Sequence, residues 1–203
     1  MVTKNPDLTR AKLLNAGFEE VYEHGFRAAS IESILAKAGV TKGALYHHFP
    51  NKQALGYALV EEIIGEFMAQ RLLTPLKDTN DPITALQQHG LDIVEDHCED
   101  ACTRGCPLNN LAQEVSNEDE GFRQRVEGVY KRLQDGVAQA LRRGQQAGTV
   151  RADIDPDRIA AFYLAASSGI MGAAKSSQDP ELMRSLVLTG NDYLESLRAL
   201  LVH

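Results

Sequence analysis

Long apolar segments are absent from this 203-residue sequence, and no uninterrupted apolar stretch approaches the roughly 18 residues that suggest a membrane-spanning helix. The opening residues, Met-Val-Thr-Lys-Asn-Pro, also lack the apolar region of a signal peptide. We therefore expect a cytoplasmic protein without a membrane partner. The apolar content of 43% is ample for an ordinary core.

Sequence motifs of catalysis are also missing. There is no His-Glu-x-x-His pair, no glycine-rich phosphate loop, and no spaced Ser, His and Asp set in a motif context. A small helical enzyme is therefore the weaker alternative from another functional class. The sequence predicts no enzymatic activity and no cofactor.

Cysteine is scarce, because only Cys98, Cys102 and Cys106 occur, spaced four residues apart. A structural disulfide is not expected in a cytoplasmic protein. Cys106 lies at the predicted start of a helix, where exposed N–H groups and Arg104 would stabilise a thiolate. Cys106 could thus be a reactive thiol or simply a small buried residue. A metal site that joins these thiols with His97 is a further alternative, but no metal is predicted.

Residues 30 to 52 form the most informative pattern, which predicts two short helices joined at a glycine. Ser30 can cap the first helix, because its hydroxyl can accept a hydrogen bond from an unpaired N–H group of the opening turn. One apolar stripe at helical spacing follows, formed by Ile31, Ile34, Leu35 and Ala38. Gly39 then ends this helix, and Thr41 can cap the next one. The arrangement is typical of a helix-turn-helix DNA-binding motif.

The second helix has a side that is suited to DNA. At about 100° per residue, one contiguous arc of this helix holds Lys42, Gly43, Tyr46 and His47. The opposite arc holds Thr41, Ala44, Leu45 and His48. Lys42 can reach phosphate or guanine, and Tyr46 and His47 can donate to phosphate oxygens. Gly43 costs about 1 kcal/mol relative to Ala inside a helix, so its presence needs a reason, such as close approach of the backbone to a base edge or a phosphate.

This segment resembles the tetracycline-repressor (TetR) family of bacterial transcription regulators. The matching residues are the Gly25-Phe26 turn, Ser30-Ile31, Ile34, Ala38-Gly39-Val40, Lys42-Gly43-Ala44-Leu45-Tyr46, His48-Phe49, Lys52 and Leu55. The resemblance covers about the first quarter of the chain and implies a three-helix DNA-binding domain. It implies base readout near Thr41, Lys42 and Gly43. Phosphate contacts are implied at Tyr46, His47, His48 and Lys52, and the start at Ser30 completes the predicted DNA-binding set.

Charge is distributed unevenly along the chain. Residues 1 to 55 hold seven Lys or Arg against five Asp or Glu, whereas the remainder holds 14 against 23. The formal charge of the first part is therefore +2 and that of the rest −9, within a total of −7. This asymmetry fits a basic DNA-binding head on an acidic body. Thr3 and Lys4 could add a basic arm, although a frayed, solvated chain end is the preferred explanation.

Apolar spacing predicts an all-α fold of about nine helices. Together with the family resemblance, it implies a three-helix DNA-binding domain over residues 1–52 and a helical bundle for ligand binding and dimerisation over 53–203. The first helix is predicted from Thr9 to His24, and a long helix after Asn51 is expected to end at Pro75 and the polar stretch from Lys77 to Asp81. The later predicted helices are 82–97, 107–115, 119–147, 155–175 and 180–202.

The last two predicted helices indicate how two copies of the chain associate. One is rich in small residues that let helix backbones approach closely, and the other carries leucines at positions 182, 186, 194, 197 and 201. Two such helices from each chain would form a homodimer interface, and packing within one chain is the alternative. A twofold dimer would match a palindromic operator whose major grooves recur about every 34 to 36 Å.

The family resemblance also implies a small-molecule effector that binds the body. The large side chains available for a pocket are Phe122, Tyr130, Phe162, Tyr163 and Met171, which fit an ordinary core equally well. The segment from Gly105 to Glu114 resembles a branch of the family in which some members respond to electrophiles. We therefore predict a repressor that leaves a double-stranded DNA operator when its effector binds. A redox or electrophile sensor that acts through Cys106 is the alternative.

Overall fold

The computed structural model describes residues 6–199 of the chain. Within that range the protein forms eleven α-helices and one π-helical segment, and its only β pairing is an isolated bridge between Val150 and Arg198. The helices are α1 (Pro6–His24), α2 (Ile31–Ala38), α3 (Lys42–His48), α4 (Lys52–Ala58), α5 (Gly65–Leu76), α6 (Pro82–Asp96), α7 (Cys98–Thr103), α8 (Pro107–Val115), α9 (Glu120–Ala147), α10 (Pro156–Ser177) and α11 (Pro180–Glu195). The predicted all-α fold is confirmed. The predictions for Thr3, Lys4 and Leu201 lie outside the described residues.

The long helix predicted after Asn51 is continuous, because the π-helical segment Leu59–Ile64 joins α4 to α5. The end expected at Pro75 and the polar stretch from Lys77 to Asp81 agrees with the structure, in which α5 includes Pro75 and ends at Leu76. A proline in the last turn removes a single backbone N–H group, and the helix ends before further hydrogen bonds are lost.

Two other details of the predicted helices need correction. The short helix α7 was not predicted. It is separate from α6 because the backbone turns at His97, where φ is −135° and ψ is 18°. His97 is thus the last cap of α6 and the first cap of α7. The last helix ends at Glu195 rather than at residue 202. Beyond it the chain pairs with the α9–α10 connection, because the Arg151 N–H group donates to the Leu197 carbonyl over 2.9 Å and the Ala199 N–H group donates to the Thr149 carbonyl over 3.1 Å.

The chain folds into two compact units, which are described separately. The first contains the residues up to Phe67 and Pro107–Val129, and the second contains Met68–Cys106 and the residues from Tyr130 onward. Helices α5 and α9 each contribute residues to both units. These two units are defined by which residues pack together. The predicted boundary between residues 52 and 53 instead separates a DNA-binding part from a ligand-binding part, and it stays a prediction.

The core of the first unit joins the three N-terminal helices to the π-helical segment and α9. Its largest fully buried side chains are Leu13, Ile34, Leu45, Leu55, Leu59, Ile64, Leu108 and Phe122. The Phe122 ring packs edge-on against Phe26 and Tyr57, with ring centroids 4.6 Å and 4.9 Å away. Such pairs add about 0.5–1.5 kcal/mol each beyond the buried area.

A buried carboxylate fixes α2 against α1. Glu20 is 3% exposed and accepts hydrogen bonds from the Ser33 hydroxyl (2.6 Å), the Lys37 ammonium (2.9 Å) and the Ser30 N–H group (3.1 Å). The Ser33 hydroxyl, together with Lys37 and the Ser30 N–H group, lowers the pKa of Glu20 to about 2, against the opposing effect of burial. The charged carboxylate therefore holds the start of α2 in one position along α1.

A second carboxylate fixes the turn between α1 and α2. Glu114 of α8 accepts hydrogen bonds from the N–H groups of Phe26 (2.8 Å) and Arg27 (2.7 Å). Gly25 has φ +81°, and a Cβ atom there would lie 3.0 Å from Oε2 of Glu114. Lys52 binds the turn from α4, because its ammonium donates to the Arg27 carbonyl over 3.0 Å. Glycine is therefore required at residue 25 both for its conformation and for the space beside the carboxylate.

In the second unit, α6, α7, α10 and α11 share a core cluster. Its buried residues are Val94, Ala101, Cys102, Ala174, Met183 and Val187. Asp81, Asp155 and Asp179 cap α6, α10 and α11, and each is followed by a proline at the first helical position. Among the helices the structure describes, none is long and apolar enough to cross a membrane.

Candidate functional site

The turn between α2 and α3 has the predicted geometry. The Ser30 hydroxyl accepts from the Ser33 N–H group and the Thr41 hydroxyl accepts from the Ala44 N–H group, each over 3.3 Å. Gly39 ends α2 in the left-handed conformation, with φ 65° and ψ 37°. These predicted caps are confirmed. They satisfy backbone groups at both sides of the turn and fix where α3 begins.

One side of α3 is buried and the other is open. Leu45 is fully buried and Phe49, at the end of the helix, is 3% exposed, so these two side chains anchor α3 to the unit. Lys42, Gly43, Tyr46 and His47 are all exposed, as the helical wheel predicts. Tyr46 keeps 44% of its surface open to solvent, and the Lys42 ammonium lies 6.0 Å from the centre of its ring. No acidic residue occurs in α3, so this face carries no negative charge.

Thr41 and His48 do not follow the wheel. Thr41 is exposed, because it caps the helix from outside its first turn. His48 is half-buried, with its ring 5.2 Å from that of His47 and 6.4 Å from that of Phe49. Both residues border the exposed side of α3, and their predicted contacts with DNA stay predictions.

Lys52 and Ser30 have structural roles beside their predicted contacts with DNA. Besides its bond to the Arg27 carbonyl, the Lys52 ammonium lies 5.0 Å from the centre of the Phe26 ring. An ammonium has three donors, so two remain for a phosphate. Ser30 is half-buried and its hydroxyl caps α2. Substitution of either residue would therefore disturb the turn as well as any contact with DNA.

Gly43 has no structural reason to be glycine. A Cβ atom at this position would have no neighbour within 4 Å, and the backbone has no positive φ angle. Glycine in a helix is unfavourable relative to alanine by up to about 1 kcal/mol. Neither packing nor backbone conformation explains this cost, which fits a close approach of another molecule to the backbone of α3.

The second unit contains a cavity of about 310 Å³ between α6, α10 and α11. Of the five predicted pocket residues, Phe162, Tyr163 and Met171 line it. Phe122 does not, because it is fully buried in the core of the first unit. Tyr130 is half-buried on α9, where its hydroxyl lies 3.4 Å from that of Ser168, and it does not line the cavity either.

The polar residues that line the cavity include His89 and Asn191, which were not predicted from the sequence. The Tyr163 hydroxyl donates to the Leu86 carbonyl over 3.2 Å, and it lies 2.8 Å from Nδ1 of His89. Since the hydroxyl hydrogen is used, Nδ1 carries the hydrogen of this second bond. Burial, and then the charge of Arg71, lower the pKa of His89 to about 4, so the imidazole is neutral at pH 7. Asn191 adds an amide on the α11 side.

The three cysteines differ in environment. Cys106 is 4% exposed and follows Gly105, which has φ 73°, while Cys98 is half-buried. Burial and the neighbouring Cys98 thiol raise the pKa of Cys102 to about 11. His97 is exposed, and among residues 6–199 no group of three or more His, Cys, Asp or Glu is arranged to hold a metal ion. The alternative metal site with His97 therefore has no support, and a sensor thiol at Cys106 stays a prediction.

Comparison with protein families gives two matches along the chain. The model described as "Bacterial regulatory proteins, tetR family" matches residues 13–59. The model described as "Tetracyclin repressor-like, C-terminal domain" matches residues 80–188. The first match includes the whole of the exposed helix α3, and the second includes the whole cavity-forming helices α6 and α10.

Similar proteins are transcription regulators. Transcriptional regulator AcuR of Cereibacter sphaeroides is 32% identical over 184 residues, which are 90% of this chain and 83% of that protein. The HTH-type transcriptional repressor DhaR of Mycobacterium sp. (strain GP1) is 25% identical over 173 residues, 85% of each chain. The crystal structure of a regulatory protein TetR from Rhodobacter sphaeroides matches with a TM-score of 0.81 and 30% identity, covering 92% of this chain and 98% of that one.

We expect Gly43→Ala to weaken binding to the protein's DNA by about ten-fold or more, the equivalent of roughly 1.4 kcal/mol. The new methyl group meets open space in the free protein, so thermal stability should stay equal or rise. Fluorescence anisotropy with labelled DNA measures the affinity, and calorimetry measures the stability.

Gly128→Ala is the matched control for this substitution. Gly128 is an exposed glycine of α9, and a Cβ atom there also has no neighbour within 4 Å. This variant should gain stability and bind DNA like the parent. Parent-like affinity in Gly43→Ala would contradict the assignment of the α3 face to DNA.

Proposed function

The chain belongs to the tetR family of bacterial regulatory proteins, whose members regulate transcription by binding DNA and are not enzymes, and from this premise we propose that it is a homodimeric repressor. It works in the cytoplasm and binds a palindromic operator through α3 of each protomer. A small-molecule effector that enters the second unit releases it from the operator. The observation that carries this proposal is the exposed, acid-free face of α3.

Each residue of this face has a different use in the proposed complex. Lys42 stands in the first turn of α3, where the free N–H groups also attract phosphate. Tyr46 lies one turn later and offers a hydroxyl that reaches the DNA backbone. Gly43 between them lets the helix approach the groove without a side chain in the way. Further predicted contacts with DNA would surround Lys42, Gly43 and Tyr46. They come from Ser30, Thr41, His47, His48 and Lys52.

Tyr46→Ala should weaken operator binding about 10- to 100-fold, because a hydrogen bond to a charged group contributes about 1.5–3 kcal/mol. A neutral hydroxyl displaces no cation, so the salt dependence should hardly change. Lys42→Ala should lower the slope of log affinity against log salt by about 0.9 if Lys42 binds a phosphate, and it should alter base preference if Lys42 binds guanine.

The operator for these measurements comes from sequencing the genomic fragments that the purified protein retains. Lys77→Ala is the control for charge, because Lys77 is an exposed lysine of the second unit. Lys77→Ala should change neither the slope of log affinity against log salt nor the base preference. Operator binding by Tyr46→Ala that equals the parent's would remove the main support for the proposed interface.

The homodimer is proposed through α10 and α11. Their exposed large apolar side chains are Phe162, Leu182, Leu188 and Tyr193, and the rings of Phe162 and Tyr193 pack edge-on 5.1 Å apart. Gly169, Gly172 and Gly190 have nothing within 4 Å of where a Cβ atom would lie, so a second backbone can approach closely. Apolar side chains grouped with open glycines on two adjacent helices are typical of a helix-bundle interface.

Leu188→Asp should convert the dimer into a monomer, because it places a charge in the proposed apolar interface. Leu188 is 47% exposed in the single chain, so the substitution should leave the fold of the monomer intact. Leu8→Asp is the control, since Leu8 is 56% exposed on α1, outside the interface. Sedimentation velocity gives the masses, and a dimeric Leu188→Asp variant would contradict the assignment.

The effector is proposed to bind in the cavity between α6, α10 and α11. Its lining is apolar apart from a few groups that include Tyr163, neutral His89 and Asn191. A small, mostly apolar molecule with one or two polar atoms fits this composition. Binding lowers operator affinity only to the extent that the effector prefers the DNA-free state, and such couplings are typically about 1–3 kcal/mol. Helices α5 and α9, which contribute to both units, are the proposed route for this coupling.

Filling the cavity should abolish the response to the effector without abolishing DNA binding. Compounds are first selected that raise the thermal midpoint of the parent and release it from its operator. The same compounds are then tested on Ala166→Leu, because Ala166 lines the cavity and the longer leucine side chain would occupy it. Ala147→Leu, at the exposed end of α9, is the control and should respond like the parent. An unchanged response in Ala166→Leu would place the effector elsewhere.

A further inference from the structure

Three sulfur atoms lie close together in the core of the second unit. Sγ of Cys98 and Sγ of Cys102, both on α7, are 3.6 Å apart, and Sγ of Cys102 is 4.0 Å from Sδ of Met183 on α11. Sulfur–hydrogen groups are weak donors, so these contacts contribute little as hydrogen bonds. None of the three residues belongs to α3, and Met183 also lines the cavity between α6, α10 and α11.

Each of the two sulfur–sulfur distances fits a metal ion that the two atoms share. An ion about 2.3 Å from each sulfur, which is the length of a metal–thiolate bond, would subtend angles of about 103° at the Cys98–Cys102 pair and about 121° at the Cys102–Met183 pair. These angles are those of trigonal or tetrahedral coordination. A disulfide between Cys98 and Cys102 fits less well, because Cβ atoms four residues apart on a helix lie about 5–6 Å from each other, whereas a disulfide needs about 3.5–4.5 Å.

The chemistry of the ligands selects a soft ion. Two thiols and a thioether are the ligands that Cu(I) prefers, whereas zinc usually takes four ligands and often includes imidazole or carboxylate. Within residues 6–199 no additional His, Asp or Glu completes such a set. The surroundings are apolar, with Val94, Ala101, Ala174 and Val187 in the same cluster, and an apolar shell restricts access of water to the ion.

We propose that Cys98, Cys102 and Met183 form a binding site for one monovalent soft metal ion, with Cu(I) as its ion. Cys98 is half-buried and gives the ion a route from solvent, while Cys102 and Met183 are buried. On binding, both thiols release their protons to the buffer and both sulfurs become thiolate ligands, and the ion keeps its oxidation state. The ion then links α7 to α11. This proposal does not depend on the proposed repressor function, because the ion is measured directly.

Cu(I) binding is measured under anaerobic conditions by competition with a coloured Cu(I) chelator, using the full chain. The parent should withdraw one equivalent of Cu(I) per chain, and X-ray absorption should show only sulfur neighbours around copper. Cys98→Ser should lose this equivalent. Met183→Leu, which nearly conserves volume, should lower the affinity at least ten-fold while circular dichroism and the thermal midpoint stay near those of the parent.

Cys106→Ser is the matched control, because Cys106 is a buried cysteine outside the cluster, and this variant should retain the full equivalent. Failure of the parent to compete with the chelator would overturn the proposal. Retention of the equivalent in Cys98→Ser, its loss in Cys106→Ser, or unchanged affinity in Met183→Leu would each do the same. A preference for Zn(II) over Cu(I) at equal competition would show that the ligand set has been assigned wrongly.

Discussion

The hydrogen bonds between Glu114 and the turn after α1 are the interaction on which the presentation of α3 depends. The turn exposes two consecutive N–H groups at Phe26 and Arg27, and no neighbouring segment of its own hairpin satisfies them. The Phe26 N–H group is half-buried and the Arg27 N–H group is exposed, and a carboxylate that accepts from both limits the conformations open to the turn. Because Glu114 comes from α8, the position of α2 and α3 depends on a residue 87 to 88 positions further along the chain.

Carboxylates therefore support the DNA-binding unit from within, while its cationic and aromatic side chains stay outside. Glu20 and Glu114 are bound to backbone N–H groups, and the lysine that Glu20 binds lies on α2 rather than on α3. Lys42 and Tyr46 remain exposed as a result. The formal positive charge of Lys42 is thus not offset by an acidic residue on α3, since the acidic side chains of residues 1–55 lie on other helices.

The features predicted from the sequence are those that depend on local spacing. Capping by Ser30 and Thr41, the left-handed Gly39 and the exposed arc of α3 follow from residues within one or two helical turns. Contacts between distant residues could not be predicted this way: the Glu114 anchor, the pairing of Tyr163 with His89, and the end of α11 all depend on tertiary neighbours. Phe122 was a reasonable pocket residue by size, but only the fold shows that Phe26 and Tyr57 enclose it.

The magnitudes of these interactions bear on how an effector could release DNA. A coupling of about 1–3 kcal/mol changes affinity about 5- to 150-fold. The two bonds from Phe26 and Arg27 to the charged acceptor Glu114 lie at a half-buried and an exposed position, where solvent screening reduces the roughly 1.5–3 kcal/mol that such a bond can contribute. In the proposed function, weakening these bonds would supply part of a coupling of this size without any unfolding of the DNA-binding unit. Helix α8 begins directly after Cys106, so a small displacement at its start changes the position of Glu114 without breaking any helix.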